Sequence, residues 1–305
     1  MSNQAHKSLV IAIVGPTASG KTALSVALAQ RFNGEVISAD SRQVYRGMDI
    51  GTGKVTRREM GGIPHYLLDV ASPRRTFTAA RYQRLGTKAI KHILTQGKLP
   101  IVAGGTGLYI DALLYDYALP AVKPDAKLRK KLEKRSAENL FAELKRRDPR
   151  RAKNIDRHNK RRLVRALEIV LLTKHPVPSR EEALGRTSEY DVFKIGISPS
   201  PDELKKNIAA RLAKRLRGGM VKEVEHLHEN GLSWKRFDGF GLEYRFVSRY
   251  VRGMITKQEM IDSIKKESWL YAKRQMTWFK RDTTIHWIKN RGERHSVIRL
   301  IQEAR

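Results

Sequence analysis

Apolar residues along this chain follow two rhythms. Short continuous runs come first: LVIAIV at 9–14 predicts a strand buried on both faces, as in the middle of a parallel sheet. EVISAD (35–40), HYLLDV (65–70) and the run opening KLPIVAGGTGLY (98–109) predict three more strands, and DVFKIGIS (191–198) a fifth. Between them the spacing changes to the helical period: Leu24, Leu28 and Phe32 share one face of a helix over 22–32, and a second helix is expected over 78–95. Strands alternating with helices predict an α/β fold with a parallel sheet flanked by helices and a site at the strands' carboxyl ends.

The texture changes after LPAVKPD. From Asp125 to about Lys174 the pattern is helical and basic residues crowd together in KLRKKLEKR, LKRRDPRRAK and RHNKRRLVRALE. This predicts a mainly helical, basic insertion at 121–190 inside a core formed by 1–120 and 191–305. Beyond the fifth strand, 201–227 is helical with a break at RGGM, and 257–280 is a long amphipathic helix. Met260, Ile264, Tyr271, Gln275 and Phe279 recur there at near four-residue spacing, which favours core packing over base stacking for its aromatic residues, Trp269 and Trp278 included.

Charge sharpens this picture. The 305 residues hold 61 Lys and Arg against 31 Asp and Glu, a formal net charge of +30. Such an excess calls for a polyanion, and nucleic acid is the expected partner through phosphate neutralisation and counterion release. No apolar stretch approaches the ~20 residues of a membrane span. The opening MSNQAHKSLVIAIVG runs into a glycine loop, so it reads as a strand rather than a signal peptide. With no cysteine, disulfides and thiolate zinc sites are excluded, and a cytoplasmic setting is expected. The histidines show no ligand spacing.

The chemistry starts at that loop. Gly15, Pro16, Thr17, Ala18, Ser19, Gly20, Lys21 and Thr22 fit G-x-x-x-x-G-K-[ST] between a buried strand and an amphipathic helix, the context of a P-loop NTPase-like core. Backbone amides and the helix start would cradle phosphates, Lys21 would add a cation, and Thr22 could hold Mg²⁺. The loop alone does not distinguish a nucleotide such as ATP from an organic diphosphate. Two further stretches narrow the choice. SADSRQVYRGMDIGTGK sets Asp40 at the end of the second strand, followed by Ser41, Arg42 and Gln43; Asp40 there is either a group of the site or the cap of an Asx turn. AGGTGLYIDAL sets Thr106 in a glycine turn, where it could cap a helix or face the site.

Taken in order, GPTASGKT, SADSRQVYRGMDIGT, GIPHYLLD, GGTGLY, RRLVRALE and RQMTWFKRD resemble the tRNA dimethylallyltransferases, also called tRNA isopentenyltransferases, across 11–282. The resemblance implies transfer of a dimethylallyl group from its diphosphate to the exocyclic amine of adenosine 37, next to the anticodon of tRNA, with no ATP consumed. It implies that the phosphate loop, Mg²⁺ and a cation beyond the insertion (Arg211, with Arg215 as the alternative) hold the diphosphate. Asp40 would accept the amine proton or orient the amine, and Thr106 would contact the amine or the diphosphate. Asp40 to Gln43 and Thr106, with Arg129, Arg161, Arg162, Leu163, Val164 and Arg165 of the insertion, would meet the tRNA anticodon stem-loop. FDGFGLEYRF departs from the family's usual Gly-Tyr segment, since Leu242 and Glu243 separate Gly241 from Tyr244. The chain also ends without the Cys/His finger of eukaryotic relatives, and a bacterial-type monomer is expected. Two other functions compete: prenylation of AMP, which the basic insertion disfavours, and an ATP-dependent RNA-binding or kinase-like protein, which DSRQ and GGTGLY disfavour.

Overall fold

A computed structural model of the chain describes residues 7–115, 117, 122, 124–183, 188–289 and 291–303. Six strands form one parallel sheet in the order β3-β2-β4-β1-β5-β6: β1 (Leu9–Val14), β2 (Gly34–Ala39), β3 (His65–Tyr66), β4 (Leu99–Gly104), β5 (Asp191–Ile197) and β6 (Ile285–Ile288). The central position of β1, with β4 and β5 on either side, explains its unbroken apolar run: Val10 to Ile13 are wholly buried. The expected α/β class is what the chain adopts.

Four helices accompany the first half: α1 (Lys21–Phe32), α2 (Arg57–Met60), α3 (Ala79–Thr95) and α4 (Gly107–Leu114). Leu24 and Leu28 of α1 pack with Ile11, Ile101 and Ile195 into the main core. The third expected strand is only two residues long. Leu67 and Asp69 take left-handed φ values of 64° and 57°, which no strand tolerates, so the chain turns away after Tyr66. What remains of β3 is pinned by Glu35, buried in β2, which accepts bonds from the Tyr66 hydroxyl and the Lys98 ammonium at 2.6 Å each.

The chain divides into two compact units, residues 1–114 with 188–305 and residues 115–187. Of the boundaries expected from sequence, 120/121 falls outside the described residues, and 190/191 lies three residues beyond the observed one. The second unit holds α5 (Ala126–Glu133), α6 (Ala137–Arg147), α7 (Pro149–Lys153), α8 (Lys160–Thr173) and α9 (Arg180–Ala183). Leu132, Leu140, Leu144, Leu163 and Leu167 make its core. Glu168 is completely buried there, taking two bonds from Arg129, one from Arg165 and one from the Asp125 amide, all within 2.8 Å. Burial would raise the Glu168 pKa, but the bonds from Arg129 and Arg165 prevail and hold it below its ordinary value.

After β5 the first unit continues with α10 (Pro201–Arg217), α11 (Met220–Glu229), α12 (Trp234–Phe240), α13 (Leu242–Val251), α14 (Lys257–Phe279) and, beyond β6, α15 (Arg294–Glu303). The break in RGGM is the Gly218–Gly219 step between α10 and α11, where Gly219 has φ 92°. Among the described residues, no helix is long and apolar enough to cross a membrane.

Candidate active site

The phosphate loop leaves β1 at the sheet's carboxyl edge. Gly15 (φ 141°) presses against the Ile197 carbonyl, where a Cβ would come within 2.6 Å, and Gly20 (φ 93°) precedes α1. Ala18, at φ 63°, adopts a conformation costing a residue with a Cβ about 1–3 kcal/mol. The Lys21 ammonium donates to the carbonyls of Gly15 at 3.0 Å and Pro16 at 2.5 Å. Burial, then the Arg211 charge, lower its pKa to about 7, against an opposing pull from Asp40. The buried Ser19 hydroxyl finds no partner among the described residues. A strained loop, a desolvated cation and an orphan hydroxyl together describe a cradle for an anion.

Asp40 continues from β2 toward this cradle. Its Oδ1 accepts the amides of Arg42 at 2.7 Å and Gln43 at 3.3 Å, so the Asx turn forms; Oδ2 has no partner among the described residues. Both readings of Asp40 are therefore compatible, one oxygen for each. Arg211 makes no ion pair or hydrogen bond among the described residues, and burial followed by the neighbouring Arg215 depresses its pKa to about 10. Arg215 is engaged instead, bonded to Glu243 at 2.5 Å and to the Gly51 carbonyl at 3.2 Å. Of the two arginines, Arg211 is the one that holds no other group and whose charge acts on Lys21.

The other residues expected at the site hold the protein together as well. Thr106 does not cap α4 with its side chain; its hydroxyl accepts the Ser41 amide at 3.1 Å and lies beside Tyr271. Arg42 donates to the Phe240 carbonyl at 3.0 Å, and Gln43 to the Gly53 carbonyl at 3.3 Å. In the second unit, Leu163 and Val164 are core residues, 0% and 4% exposed, which corrects the expectation that they face RNA; Arg129 and Arg165 serve Glu168. Arg161 and Arg162 are exposed. Thr22 is also exposed, at the start of α1. No cluster of three His, Cys, Asp or Glu among the described residues could hold a metal. Thr22 could supply one oxygen ligand to a cation bound together with a diphosphate.

The family model described as IPP transferase matches residues 43–282. The chain belongs to the IPP transferase family. The tRNA dimethylallyltransferase of Acetivibrio thermocellus is 42% identical over 298 residues, covering 96% of this chain and 95% of that protein. The crystal structure of the tRNA delta(2)-isopentenylpyrophosphate transferase from Staphylococcus epidermidis aligns with a TM-score of 0.71 at 39% identity, covering 97% of this chain and all of that one. A eukaryotic dimethylallyltransferase, captured crystallographically acting on tRNA, aligns at 27% identity with a TM-score of 0.75 over 92% of this chain and 74% of its own.

In this IPP transferase three side chains shape the site without having stood out in the sequence. Gln275, on the stripe that spacing assigns to the core, is indeed buried, but it accepts the Thr17 amide and donates to the Gly105 carbonyl, both at 2.8 Å. It ties the phosphate loop to the glycine turn. The turn's glycines admit these neighbours: a Cβ on Gly105 would meet Gln275 at 2.1 Å, and one on Gly107 would meet Trp278 at 2.1 Å. Glu223 accepts the amides of Asp49, Ile50 and Gly51 and the Tyr244 hydroxyl, all within 2.9 Å, holding the GMDIGTGK loop over Arg211 and Arg215. Tyr271, beside Thr106, has its pKa pushed up to about 12 by burial and the Asp40 charge. Only the RQMTW motif hinted at any of these, through its family pattern.

Replacing Gln275 with Leu leaves the buried Gly105 C=O unpaired, costing about 1–3 kcal/mol, and removes the acceptor of the part-buried Thr17 N–H. The Tm should fall by several degrees and pyrophosphate should bind more weakly; calorimetric titration against wild type checks both. An unchanged Tm with undiminished pyrophosphate affinity would dismiss the bridge.

Proposed function

We propose that this IPP transferase moves the dimethylallyl group of dimethylallyl diphosphate onto the exocyclic N6 of adenosine 37 in tRNA. The observation that carries this reading is the juxtaposition of Lys21, Arg211 and Asp40. Two cations suited to a leaving diphosphate lie near enough to a carboxylate for each cation's protonation to feel it. Family membership and the tRNA dimethylallyltransferase relatives supply the acceptor and the transferred group.

An exocyclic adenine amine is a poor nucleophile because its lone pair is delocalised into the ring. As the new C–N bond forms, the allylic C–O bond breaks and its electron pair leaves with the pyrophosphate. The amine proton passes to Oδ2 of Asp40 while Oδ1 keeps the turn closed. Lys21, Arg211 and the loop amides bind the departing charge, an interaction strongest as the bond breaks. Mg²⁺, held by Thr22 and the diphosphate, would supply further charge neutralisation. The adenine must leave the anticodon-loop stack, at a cost of a few kcal/mol. The exposed arginines of the second unit would hold the loop by its phosphates, and the enzyme would act as a cytoplasmic monomer.

The test supplies labelled dimethylallyl diphosphate with Mg²⁺ and either unmodified tRNA or AMP. Label on adenosine 37 is the expected result. Label on AMP, or ATP hydrolysis without any transfer, would overturn the reading. Replacing Arg161 and Arg162 together with Ala should weaken tRNA binding and flatten the plot of log affinity against log salt by roughly two, about 0.9 per lost phosphate contact. Filter binding across a salt series measures the slope, and one equal to wild type would exclude those arginines from the interface.

A further inference from the structure

Outside the site described above, four arginines surround one cavity. It measures about 330 Å³ and is lined by Arg46, Arg74, Arg75 and Arg81, with Ser72 and Val70 between them. All four arginines are exposed. None pairs with a carboxylate among the described residues; Asp69, close by in sequence, is engaged by Lys54 at 2.5 Å. Arg46 and Arg81 are braced by the carbonyls of Asp69 (3.1 Å) and Val70 (3.3 Å), Arg81 also lies over the Phe77 ring, and Arg74 donates to the Asn230 carbonyl. Each of these contacts engages part of a guanidinium fork and leaves other N–H groups open. Gathering four uncompensated cations costs free energy through mutual repulsion, which an anion would relieve.

Two features separate a nucleic-acid backbone from a free anion. A second cavity of about 190 Å³ shares Arg74 and Ser72 with the first, and Pro73, Leu227 and Leu232 give it an apolar wall. A phosphate pocket joined to an apolar slot matches a phosphodiester with its attached ribose or base, not a bare ion. Arg46 also lies six residues along the same loop from Asp40, so the cavity and the proposed proton acceptor share one connection after β2.

We infer that the Arg46–Arg74–Arg75–Arg81 cavity is a second RNA subsite, binding a backbone phosphate of the substrate RNA apart from the arginines of the helical unit. This rests on the tRNA reading above and specifies where on the first unit the RNA backbone lies. The contact positions rather than reads, because phosphates carry no sequence information.

The test compares wild type, Arg75→Ala and Arg46→Ala/Arg75→Ala by filter binding to unmodified tRNA across a salt series. Arg75 is the clean probe, since its side chain holds no other group of the described structure. The expected result is a three- to tenfold loss of affinity for the single variant and a larger one for the double. The salt slope should fall by about one and about two. Turnover at saturating tRNA and KM for dimethylallyl diphosphate should stay at wild-type values, which a general unfolding would not allow. Wild-type affinity and slope in both variants would overturn the subsite while leaving the prenyltransferase reading intact; a wild-type protein that binds no tRNA would overturn both. A third arm adds inorganic phosphate alone and follows arginine modification by phenylglyoxal. Protection of these arginines, with RNA affinity unchanged in the variants, would assign the cavity to a free anion and reject RNA.

Discussion

Replacing Asp40 with Asn is expected to lower turnover about 10²–10⁴-fold, the range for losing a positioned proton acceptor, while tRNA affinity stays within about threefold of wild type. Asparagine is the informative substitution because the two oxygens of Asp40 do different things. Oδ1 closes the turn by accepting the Arg42 and Gln43 amides. An amide oxygen can do the same, so Ser41 stays bonded to Thr106 and Gln43 stays bonded to the Gly53 carbonyl. Only the charge and basicity on the Oδ2 side are lost. Alanine removes the turn acceptor as well, and should add a binding defect to the chemical one. Single-turnover transfer with enzyme in excess isolates the chemical step. An Asn variant as fast as wild type in that assay would remove Asp40 from proton transfer and leave it a structural turn residue.

The contrast between Asp40 and Gln275 shows what local sequence conveys. The phosphate loop, the Asx turn and the glycine turn each depend on neighbours within a few residues, so their residue types announce them. Gln275 and Glu223 act across the fold, on Thr17 and Gly105 and on residues 49–51, and a single residue on a helical stripe carries no mark of so distant a partner. The same distinction governs the elements. The runs of β1 and β4 were legible because nearly every residue is buried and none is charged, and β5 was legible from its apolar positions despite Asp191 and Lys194. β6 was not, since only Ile285 and Ile288 of its four residues are buried, a spacing that matches neither alternation nor a continuous run. α12 and α13 are seven and ten residues long, lack side-chain caps and meet at Gly241 (φ 72°), so the helix start signals were missing. HYLLDV misled for the opposite reason: its composition suits a strand, and although Asp69 is a residue type that tolerates a left-handed backbone, nothing in Leu67 advertises one.

Lys21 offers the other large effect, and it should appear in two measurements of opposite character. Lys21→Met removes the cation at the mouth of the cradle, and turnover should fall by about two orders of magnitude or more, as when a charge stabilising the transition state is lost. The second measurement concerns stability without ligand. Lys21 titrates near pH 7 in the folded protein because burial and the Arg211 charge disfavour its ammonium form, whereas an unfolded lysine titrates near 10.4. Folding therefore expels a proton between those values, and this group's contribution to stability rises with pH across that window. Below pH 7 the full penalty applies; above about 10.5 it is gone. Methionine carries no such penalty, so the Tm of the variant minus that of wild type should be most positive at pH 7 and below and decline toward pH 10. The lost bonds to the Gly15 and Pro16 carbonyls shift that difference at every pH but do not produce its decline. A bound diphosphate restores the ammonium form, so wild type should take up a proton on binding it above pH 7, and its affinity should weaken as pH rises. Calorimetry in buffers of different ionisation enthalpy reads that uptake directly. A Tm difference that is flat with pH, together with binding that takes up no proton, would mean that Lys21 is an ordinary solvated lysine and that the cradle does not depend on its desolvation.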